Sequence, residues 1–517
     1  MSEIKYTIKS VLGGQSPLYH GAGKGQFLTS VAIDPEDSVS SKSSGYAVPI
    51  GYTDFTSSVP SGAPMWIITN PQNTNHYVYA DDGEFYRYDS SLANETSIGT
   101  PTSGAGNGAI YYNDYIYLWT PTELSRYGTL SGGSPSLANT YWNGTLGLTL
   151  LTNTTYPGTN SVTYPNHAPH LHSDGSVYFC DYAGGQGLIH KLRTTSGGTN
   201  DGSAYNVLDL PFGVLPFDIE SFGTDLAIIG SVIGSSTTVR QGQSFIFLWD
   251  TFSDSFYRQV PIPAGAFVSA IQNARGALYI WGGSVDRACV LFKYTGGYEV
   301  ELVWEAQDGD PPFAGAVDAF GDRVVWGTNI STPITGGVIM SLGYQNKALG
   351  LDAVHNIGIM DSTQTLPTVS SLKFVQQAQS TKRPIAGWRA QSNEFGISKV
   401  NSGATKNAVL RSEVFAVDRP FRIKEIRVPL TGPVTSATTI TPKIYFDDEG
   451  SNKTLGVINN TNYSGKSIIT YKALEIENAA TAGYVGKNNF FLEFAMTGTD
   501  SVGIALPVEI IVETRDN

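Results

Sequence analysis

Residues 76–88 read HYVYADDGEFYRY, two strand-like runs on either side of Asp82 and Gly83. Each run alternates apolar and polar side chains, which is the two-residue period of a β-strand. An Asp-Gly pair between two such runs favours a two-residue hairpin turn, because that turn needs positive φ angles and glycine adopts them without steric cost. The stretch therefore predicts a β-hairpin.

The same hairpin pattern returns along the chain as far as residue 400. Its first strands are anchored at Tyr77, Ile116, Val177, Leu226, Leu278, Val324 and Ile385. Successive anchors lie 39, 61, 49, 52, 46 and 61 residues apart. The mean of about 51 residues is near the period of propeller repeats, and one step has room for four strands. Sheets stacked around an axis cover one another's faces, which a lone four-stranded sheet cannot do, so the recurrence predicts an all-β chain with a β-propeller. Seven blades are expected, with six blades or another all-β stacking as the alternatives.

The repeats divide the chain into three predicted domains. Residues 1–58 are rich in glycine, serine and turn pairs, and they predict an N-terminal arm that lends a strand to close the propeller. Residues 59–405 hold the repeats. Residues 406–517 contain longer strand patterns and predict a C-terminal β-sandwich of jelly-roll type. In one of these patterns, FRIKEIRVPL, the apolar positions change phase at Lys424-Glu425, which predicts a bulge.

The composition indicates low helix content and a polar, weakly charged surface. The 517 residues include 57 Gly, 28 Tyr and 23 Phe, which suit turns and strand faces, and only 15% of the residues are charged. The net charge of −13 disfavours nucleic acid and anionic membranes as partners. No run approaches the ~20 apolar residues of a membrane helix, and MSEIKYTIKS has no apolar signal segment, so no membrane insertion is predicted. Cys180 and Cys289 are expected to be buried thiols.

Positive charge is concentrated in one segment. Between Lys373 and Arg427 the chain has eleven Lys or Arg and four Asp or Glu, whereas the rest is acidic. The segment is therefore a candidate interface with an acidic partner, such as the propeller of a neighbouring copy in a head-to-tail ring. A solvated junction between two domains is the alternative. The candidate interface residues are Arg383, Arg389, Arg419 and Arg422.

Patterns that carry chemistry are few. His167, His170 and His172 approach a metal-ligand spacing, but no carboxylate or cysteine completes a zinc signature. GAGKG at 21–25 lacks the Ser or Thr of a phosphate-binding loop. No Ser or Cys is paired by pattern with a histidine. Acidic clusters lie at residues 34–37, 80–84 and 447–452, where solvated turns explain them better than a calcium loop does. No catalytic residue, metal or cofactor is predicted.

The segments QFLTSVAIDPED (residues 26–37) and APMWIITNPQNTNHYVYADDGEFYRYDSSL (residues 63–92) resemble the opening of virion proteins from tailed bacteriophages. The resemblance covers mainly the first hundred residues. It implies a non-enzymatic structural protein of the virion tail, such as a nozzle, hub or peripheral fibre component, which is assembled in several copies in the host cytoplasm. The implied partners are other virion proteins and copies of the chain itself, with host surface glycans as a further partner through the terminal sandwich during host attachment.

Two other functions stay open at the level of sequence. A glycan-binding adhesin would stack sugars on aromatic side chains of loops, for which the candidates are Tyr141, Trp142 and Trp388, although packing in a strand core is the commoner role of such rings. A propeller glycoside hydrolase would instead use carboxylates around the central channel. The sequence favours virion structure over glycan binding, and glycan binding over an enzyme.

Overall fold

The computed structural model describes the greater part of the chain. The described residues are 2–8, 29–31, 46–47, 52–54, 60–70, 75–89, 95–101, 105–151, 167–232, 243–263, 267–283, 288–306, 309–320, 323–330, 336–346, 351–359, 368–377, 381–390, 394–400, 406–417, 419, 421–446, 452–478, 489–499 and 502–514. The GAGKG segment, the cluster at 34–37 and most of the cluster at 447–452 lie outside them. Within these ranges no helix is long and apolar enough to cross a membrane.

The chain is all-β, as its β-branched and aromatic composition predicts. Helical structure in the described residues is limited to short segments: α1 (Asn460–Tyr463), α2 (Ala473–Asn478), 3-10 turns at Leu130–Gly132 and Ala314–Ala316, and a π turn at Tyr141–Thr145. The first strands of the chain are β1 (Ser2–Ile8), β2 (Thr29–Val31), β3 (Tyr46–Ala47) and β4 (Tyr52–Asp54).

Four-stranded antiparallel sheets follow one another from residue 64 to residue 400. The first is β5 (Pro64–Thr69), β6 (His76–Ala80), β7 (Phe85–Tyr88) and β8 (Glu95–Gly99). The next two are β9 (Gly108–Tyr112), β10 (Tyr115–Trp119), β11 (Leu124–Gly128) and β12 (Ser136–Ala138), then β13 (Pro169–Leu171), β14 (Val177–Ala183), β15 (Gln186–Leu192) and β16 (Ala204–Phe212).

The later sheets repeat the same meander. They are β17 (Val214–Phe222), β18 (Asp225–Val232), β19 (Gln243–Trp249) and β20 (Arg258–Pro261), then β21 (Phe267–Ala274), β22 (Ala277–Gly283), β23 (Cys289–Tyr294) and β24 (Glu301–Ala306), then β25 (Val317–Phe320), β26 (Arg323–Ile330), β27 (Gly336–Asn346) and β28 (Leu351–Ile359). The last has the order β29 (Thr368–Gln377), β30 (Thr381–Arg389), β31 (Phe395–Val400) and β4.

The hairpins recognised in the sequence are the second and third strands of these sheets. Every anchor from Tyr77 to Ile385 lies on a second strand. The first strands pack in a circular order, β5 against β9, β9 against β13, β13 against β17, β17 against β21, β21 against β25, β25 against β29, and β29 against β5. Sheets whose innermost strands pack in this way form a β-propeller.

The second strands are buried on both faces. All residues of β6, β10 and β22 are buried, rather than every second one, because each sheet lies between two others. Aromatic rings fill the spaces between sheets. Tyr77 and Phe85 of the first sheet meet Tyr127 of the second, with ring centroids 6.0 and 5.5 Å away.

The turn at Asp82-Gly83 is longer than predicted. The Ala80 N–H donates to the Glu84 carbonyl at 2.9 Å, so three residues form the loop rather than two. Gly83 has φ +88°, whereas Asp82 is not among the residues with positive φ. A type I turn closed by one left-handed glycine therefore replaces the two-residue turn, because only one position of this loop needs a positive φ.

Residues near the two termini form two further sheets. Their strands are β32 (Lys406–Arg411), β33 (Phe415–Ala416), β34 (Phe421–Pro429), β35 (Thr438–Phe446), β36 (Asn452–Thr454), β37 (Ile458–Asn459), β38 (Ile468–Lys472), β39 (Asn489–Gly498), β40 (Ile504–Ala505) and β41 (Val508–Thr514). One sheet has the order β1-β41-β34-β38, and the other has the order β2-β32-β39-β35-β36 with β33 and β37 beside it. β3 pairs with β40.

Aromatic side chains connect these two sheets. The Tyr6 ring of β1 lies 5.3 Å from Phe415 and 5.8 Å from Phe490, and Phe421 of β34 lies 5.4 Å from Phe490. The register of β34 against β41 shifts between Ile423 and Glu425. This confirms the bulge predicted from the phase change, which keeps apolar side chains on the buried face along the whole strand.

The chain divides into two compact units. We call Asp54–Gly337 with Met360–Lys399 the propeller unit, and Met1–Thr53 with Val338–Ile359 and Val400–Asn517 the terminal unit. The predicted domain bounds of 1–58, 59–405 and 406–517 stay a prediction. Cys180 and Cys289, both in the propeller unit, are buried free thiols, as expected.

Candidate functional site

Polar side chains on the first strands of five consecutive sheets lie on the inside of the propeller unit, where three of them and then two of them are in contact. We call His170, Glu220, Gln272, Asp318 and Lys373 the inner polar chain. The His170 Nε2 lies 3.3 Å from Glu220 Oε1, and Gln272 Nε2 donates to Glu220 Oε2 at 3.1 Å. Further along the chain, Lys373 Nζ donates to Asp318 Oδ1 at 3.0 Å. First strands line the axis of a propeller, so this chain is the candidate functional site.

Glu220 is the member whose chemistry is most altered. Burial raises the pKa of this carboxyl to about 8, although it accepts from the Ser221 N–H at 2.9 Å. Burial likewise lowers the pKa of His170 to about 4. Burial thus favours the neutral form of both groups, because neither charged form is well solvated there.

Aspartates on the first strands bond to the backbone of the next sheet. Asp218 accepts from the Ile219 N–H at 2.9 Å and from the Ile271 N–H of β21 at 3.0 Å, and burial raises the pKa of this carboxyl to about 8. Asp318 does the same two sheets later, accepting from the Phe374 N–H of β29 at 2.8 Å. These carboxyl groups join neighbouring sheets by satisfying backbone donors that would otherwise be buried without a partner.

A serine lies between two histidines at the end of β17. The Ser221 Oγ is 2.7 Å from His170 Nε2 and 2.9 Å from His172 Nδ1, while His172 Nε2 is 3.1 Å from the Thr224 carbonyl. The Ser221 N–H also points at His170 Nε2, at 3.1 Å. Serine and carboxyl approach the same nitrogen of His170, whereas a catalytic triad places them on opposite ring nitrogens. Ser221 and the two histidines therefore form a hydrogen-bonded group, and the Ser221 hydroxyl is not arranged as a catalytic nucleophile.

The three histidines noticed in the sequence do not converge. The His167 Nδ1 lies 2.9 Å from the Cys180 carbonyl, whereas His170 and His172 both contact Ser221 Oγ. Among the residues that the structure describes, no group of three or more His, Cys, Asp or Glu could hold a metal ion. The acidic cluster at 80–84 is occupied by protein donors, since Asp81 accepts from the Ala63 N–H at 2.7 Å and Tyr86 donates to Glu84.

The aromatic residues proposed for sugar stacking are core residues. Tyr141 and Trp142 are 0% exposed and Trp388 is 4% exposed. Their polar atoms are bonded internally, with Trp142 Nε1 donating to the Thr149 carbonyl at 2.8 Å and Trp388 Nε1 to Ser398 Oγ at 3.0 Å. This corrects their assignment as glycan contacts, because their ring faces are covered by protein atoms and not open to a sugar.

The four arginines proposed as an interface are divided between the two units. Arg422 Nε donates to Glu513 Oε2 at 2.8 Å within the terminal unit, and Arg419 is exposed there. In the propeller unit, Arg389 is half-buried and its charge lowers the pKa of Asp81, although burial raises that pKa overall. Arg383 lies on β30, and its side chain is outside the described part of the structure.

Sequence reasoning missed the inner polar chain, although one signal could have found part of it. Glu220, Gln272 and Asp318 each stand six positions before an anchor, namely Leu226, Leu278 and Val324. A polar residue recurring at one position of a repeat indicates a shared environment. That this residue lies on the inside of the propeller follows only when the run before the anchor is recognised as the first strand of the same sheet.

Comparison with known proteins shows similarity of fold. No protein-family model and no curated protein matches the chain. Among solved structures, the chain is similar to the WD40 β-propeller domain of Doa1, with 11% identity and a TM-score of 0.41 over 68% of this chain and 97% of that one. It is similar to the β-propeller domain of Cps50 (Swd1) from Myceliophteria thermophila, with 10% identity and a TM-score of 0.43 over 67% and 99%. It is also similar to BBS1N in complex with ARL6DN, with 10% identity and a TM-score of 0.39 over 68% and 97%. At these values the similarities say nothing about function or partners.

Proposed function

We propose that this protein is a structural component of a tailed-bacteriophage virion, a tail part such as a nozzle, hub or peripheral fibre, which acts by assembling in several copies. The observation that carries the proposal is that the inner polar chain forms hydrogen bonds between neighbouring sheets. Its carboxyl groups, with that of Asp218, bond to neighbouring sheets, so the inside of the propeller unit serves the fold and binding falls to the outer surface. The resemblance of residues 26–37 and 63–92 to phage virion proteins supports the part of the proposal that places the protein in a virion tail.

The finer architecture that we propose is a seven-bladed propeller and a jelly-roll sandwich. The seventh blade would be β29, β30 and β31 completed by β4, which is the closing strand expected from the N-terminal arm; the strand order of that sheet supports this. The rings of Tyr6 on β1 and Phe421 on β34 contact that of Phe490 on β39, and these contacts between the two sheets support a sandwich in the terminal unit.

Assembly is tested by the mass of the native protein and by its presence in virions. We expect a closed oligomer, and we expect charge reversal of Arg383, Arg389, Arg419 and Arg422 to glutamate to lower the assembled mass, because like charges would then face each other. The control carries four reversals outside the segment, at Arg193, Lys453, Lys466 and Lys472. An unchanged mass in the first variant contradicts the head-to-tail ring. A chain that is both monomeric and missing from purified virions contradicts the structural role.

A second candidate function is hydrolysis of a glycosidic bond, favoured by the unequal states of two carboxyl groups in the inner polar chain. Burial raises the pKa of Glu220 to about 8, whereas Asp318 is paired with Lys373, and glycosidases use two carboxyl groups whose environments differ in this way. If this function is correct, purified protein releases reducing ends from host capsule polysaccharide, and Glu220→Gln and Asp318→Asn each abolish the release. No release by the wild-type chain excludes the function.

A further inference from the structure

An exposed aromatic platform lies on two adjacent sheets, at the start of β20 and in the loop between β23 and β24. We call Tyr257, Arg258 and Tyr298 the tyrosine–arginine platform. Tyr257 is 52% exposed and Tyr298 is 78% exposed. The Arg258 guanidinium lies between them, 5.9 Å from the ring centroid of Tyr257 and 5.3 Å from that of Tyr298. A cation at this distance from a ring face is attracted by the ring, so the three side chains hold one another in place.

Hydrogen bonds fix the platform from beneath. Arg258 Nη1 donates to the Gly296 carbonyl at 2.9 Å, and the Tyr257 hydroxyl donates to Asp225 Oδ2 at 2.6 Å. Gly296 has φ +106°, a conformation that turns its carbonyl toward the arginine at no steric cost to a glycine. Because these contacts hold Arg258 and Tyr257 before any ligand arrives, these two side chains lose less conformational entropy on binding.

Arg258 forms no ion pair with any carboxylate of the described residues, although the chain has 45 Asp and Glu against 32 Lys and Arg. One guanidinium nitrogen is used by the Gly296 carbonyl, which leaves donors for a planar anion. A guanidinium fork matches the geometry of a carboxylate, and the net charge of −13 opposes non-specific attraction of polyanions such as nucleic acid.

We propose that the tyrosine–arginine platform binds an oligosaccharide that carries a carboxylate. The C–H face of a sugar ring packs on the open faces of Tyr257 and Tyr298, and its carboxylate pairs with Arg258. Charge complementarity selects this class over neutral sugars, and the exposed apolar ring faces select it over small inorganic anions. The site is distinct from the inner polar chain and from the buried rings of Tyr141, Trp142 and Trp388, and it does not depend on the virion role.

The test is a binding measurement on the full chain against hexuronate- and sialate-containing oligosaccharides, each with its methyl-esterified counterpart. We expect binding of one or more carboxylated members, weakened at least tenfold by esterification. Arg258→Gln and Tyr298→Ala should each weaken that binding at least tenfold, whereas Arg258→Lys keeps the charge without the fork and should be intermediate. The matched control is Phe212→Ala, which removes a ring 80% exposed on another sheet.

Three outcomes overturn the proposal. They are no binding of any carboxylated oligosaccharide, equal binding of the esterified counterparts, and unchanged binding by Arg258→Gln and Tyr298→Ala. Tyr298 is mostly exposed, so its variant is expected to fold, and an unchanged thermal midpoint separates loss of binding from loss of structure.

Discussion

Gly282→Val is expected to destabilise the propeller unit by about 3 kcal/mol or more, because a side chain at this position meets main-chain atoms of the neighbouring strand. Gly282 lies near the end of β22, opposite Val268 of β21. A Cβ on this residue would overlap the Phe267 carbonyl oxygen and come within 3.3 Å of the Val268 Cα. Both contacts are with the backbone of a paired strand, so no side-chain rotation relieves the overlap and β21 itself must move.

Urea unfolding followed by tryptophan fluorescence measures this effect. All eight tryptophans of the chain lie in the propeller unit, so the signal reports that unit alone. Gly297→Ala is the matched control, because a Cβ there meets only the Glu299 nitrogen at 4.0 Å, and its effect should stay within about 0.5 kcal/mol. A valine variant that unfolds at the wild-type urea concentration would show that β21 is not held against β22 as described.

Glu220→Gln is expected to remove part of the pH dependence of stability. The folded-state pKa of Glu220 is raised to about 8, above its usual value, by burial. Between the unfolded and folded pKa values the unfolded chain releases this proton while the folded chain keeps it, so the folded state binds more protons and stability falls as pH rises. Asp218, whose pKa is also raised to about 8, adds to the fall in the same direction.

Glutamine cannot titrate, and its amide can pair with Gln272 as the protonated acid does. The variant should therefore match the wild type near pH 4.5 and exceed it by pH 8, by a difference on the order of 3 kcal/mol. The measurement is the free energy of unfolding of the propeller unit from pH 4.5 to 8.5. Glu299→Gln is the control, because this exposed side chain meets water in both states. Parallel wild-type and Glu220→Gln curves over that range would refute the assignment.

Several local features followed from the sequence because they depend on neighbouring residues. The anchors from Tyr77 to Ile385 marked second strands, since a fully buried strand is the most apolar part of a sheet. The bulge in β34 followed from a phase change within ten residues. A glycine also recurs in the second half of second strands, at Gly230, Gly282 and Gly327. Its meaning depends on which backbone or side chain comes close in space.

The candidate site was harder to predict because its members are distant in sequence. His170 and Glu220 are 50 positions apart and Asp318 and Lys373 are 55 positions apart, yet each pair is in contact across neighbouring first strands. The prediction that Tyr141 and Trp142 contact sugars was wrong because their burial depends on a contact with a residue outside their own loop. Tyr141-Trp142 has the composition of a binding loop, but Glu123 accepts from the Trp142 N–H at 2.8 Å and holds this turn in the core. Composition cannot distinguish a buried ring from Tyr298 on the surface.

The sequence by itself determined the all-β class, the recurrence of strand pairs and the low helix content, because strand period and turn residues act over a few positions. The tertiary structure decided the charge of the surface. The segment from Lys373 to Arg427 is basic when counted along the chain, but Arg422 pairs with Glu513, Lys424 with Glu3, and Arg411 with Glu493. Strand pairing brings residues from both ends of the chain within ion-pairing distance, and Coulomb energy depends on separation in space rather than in sequence.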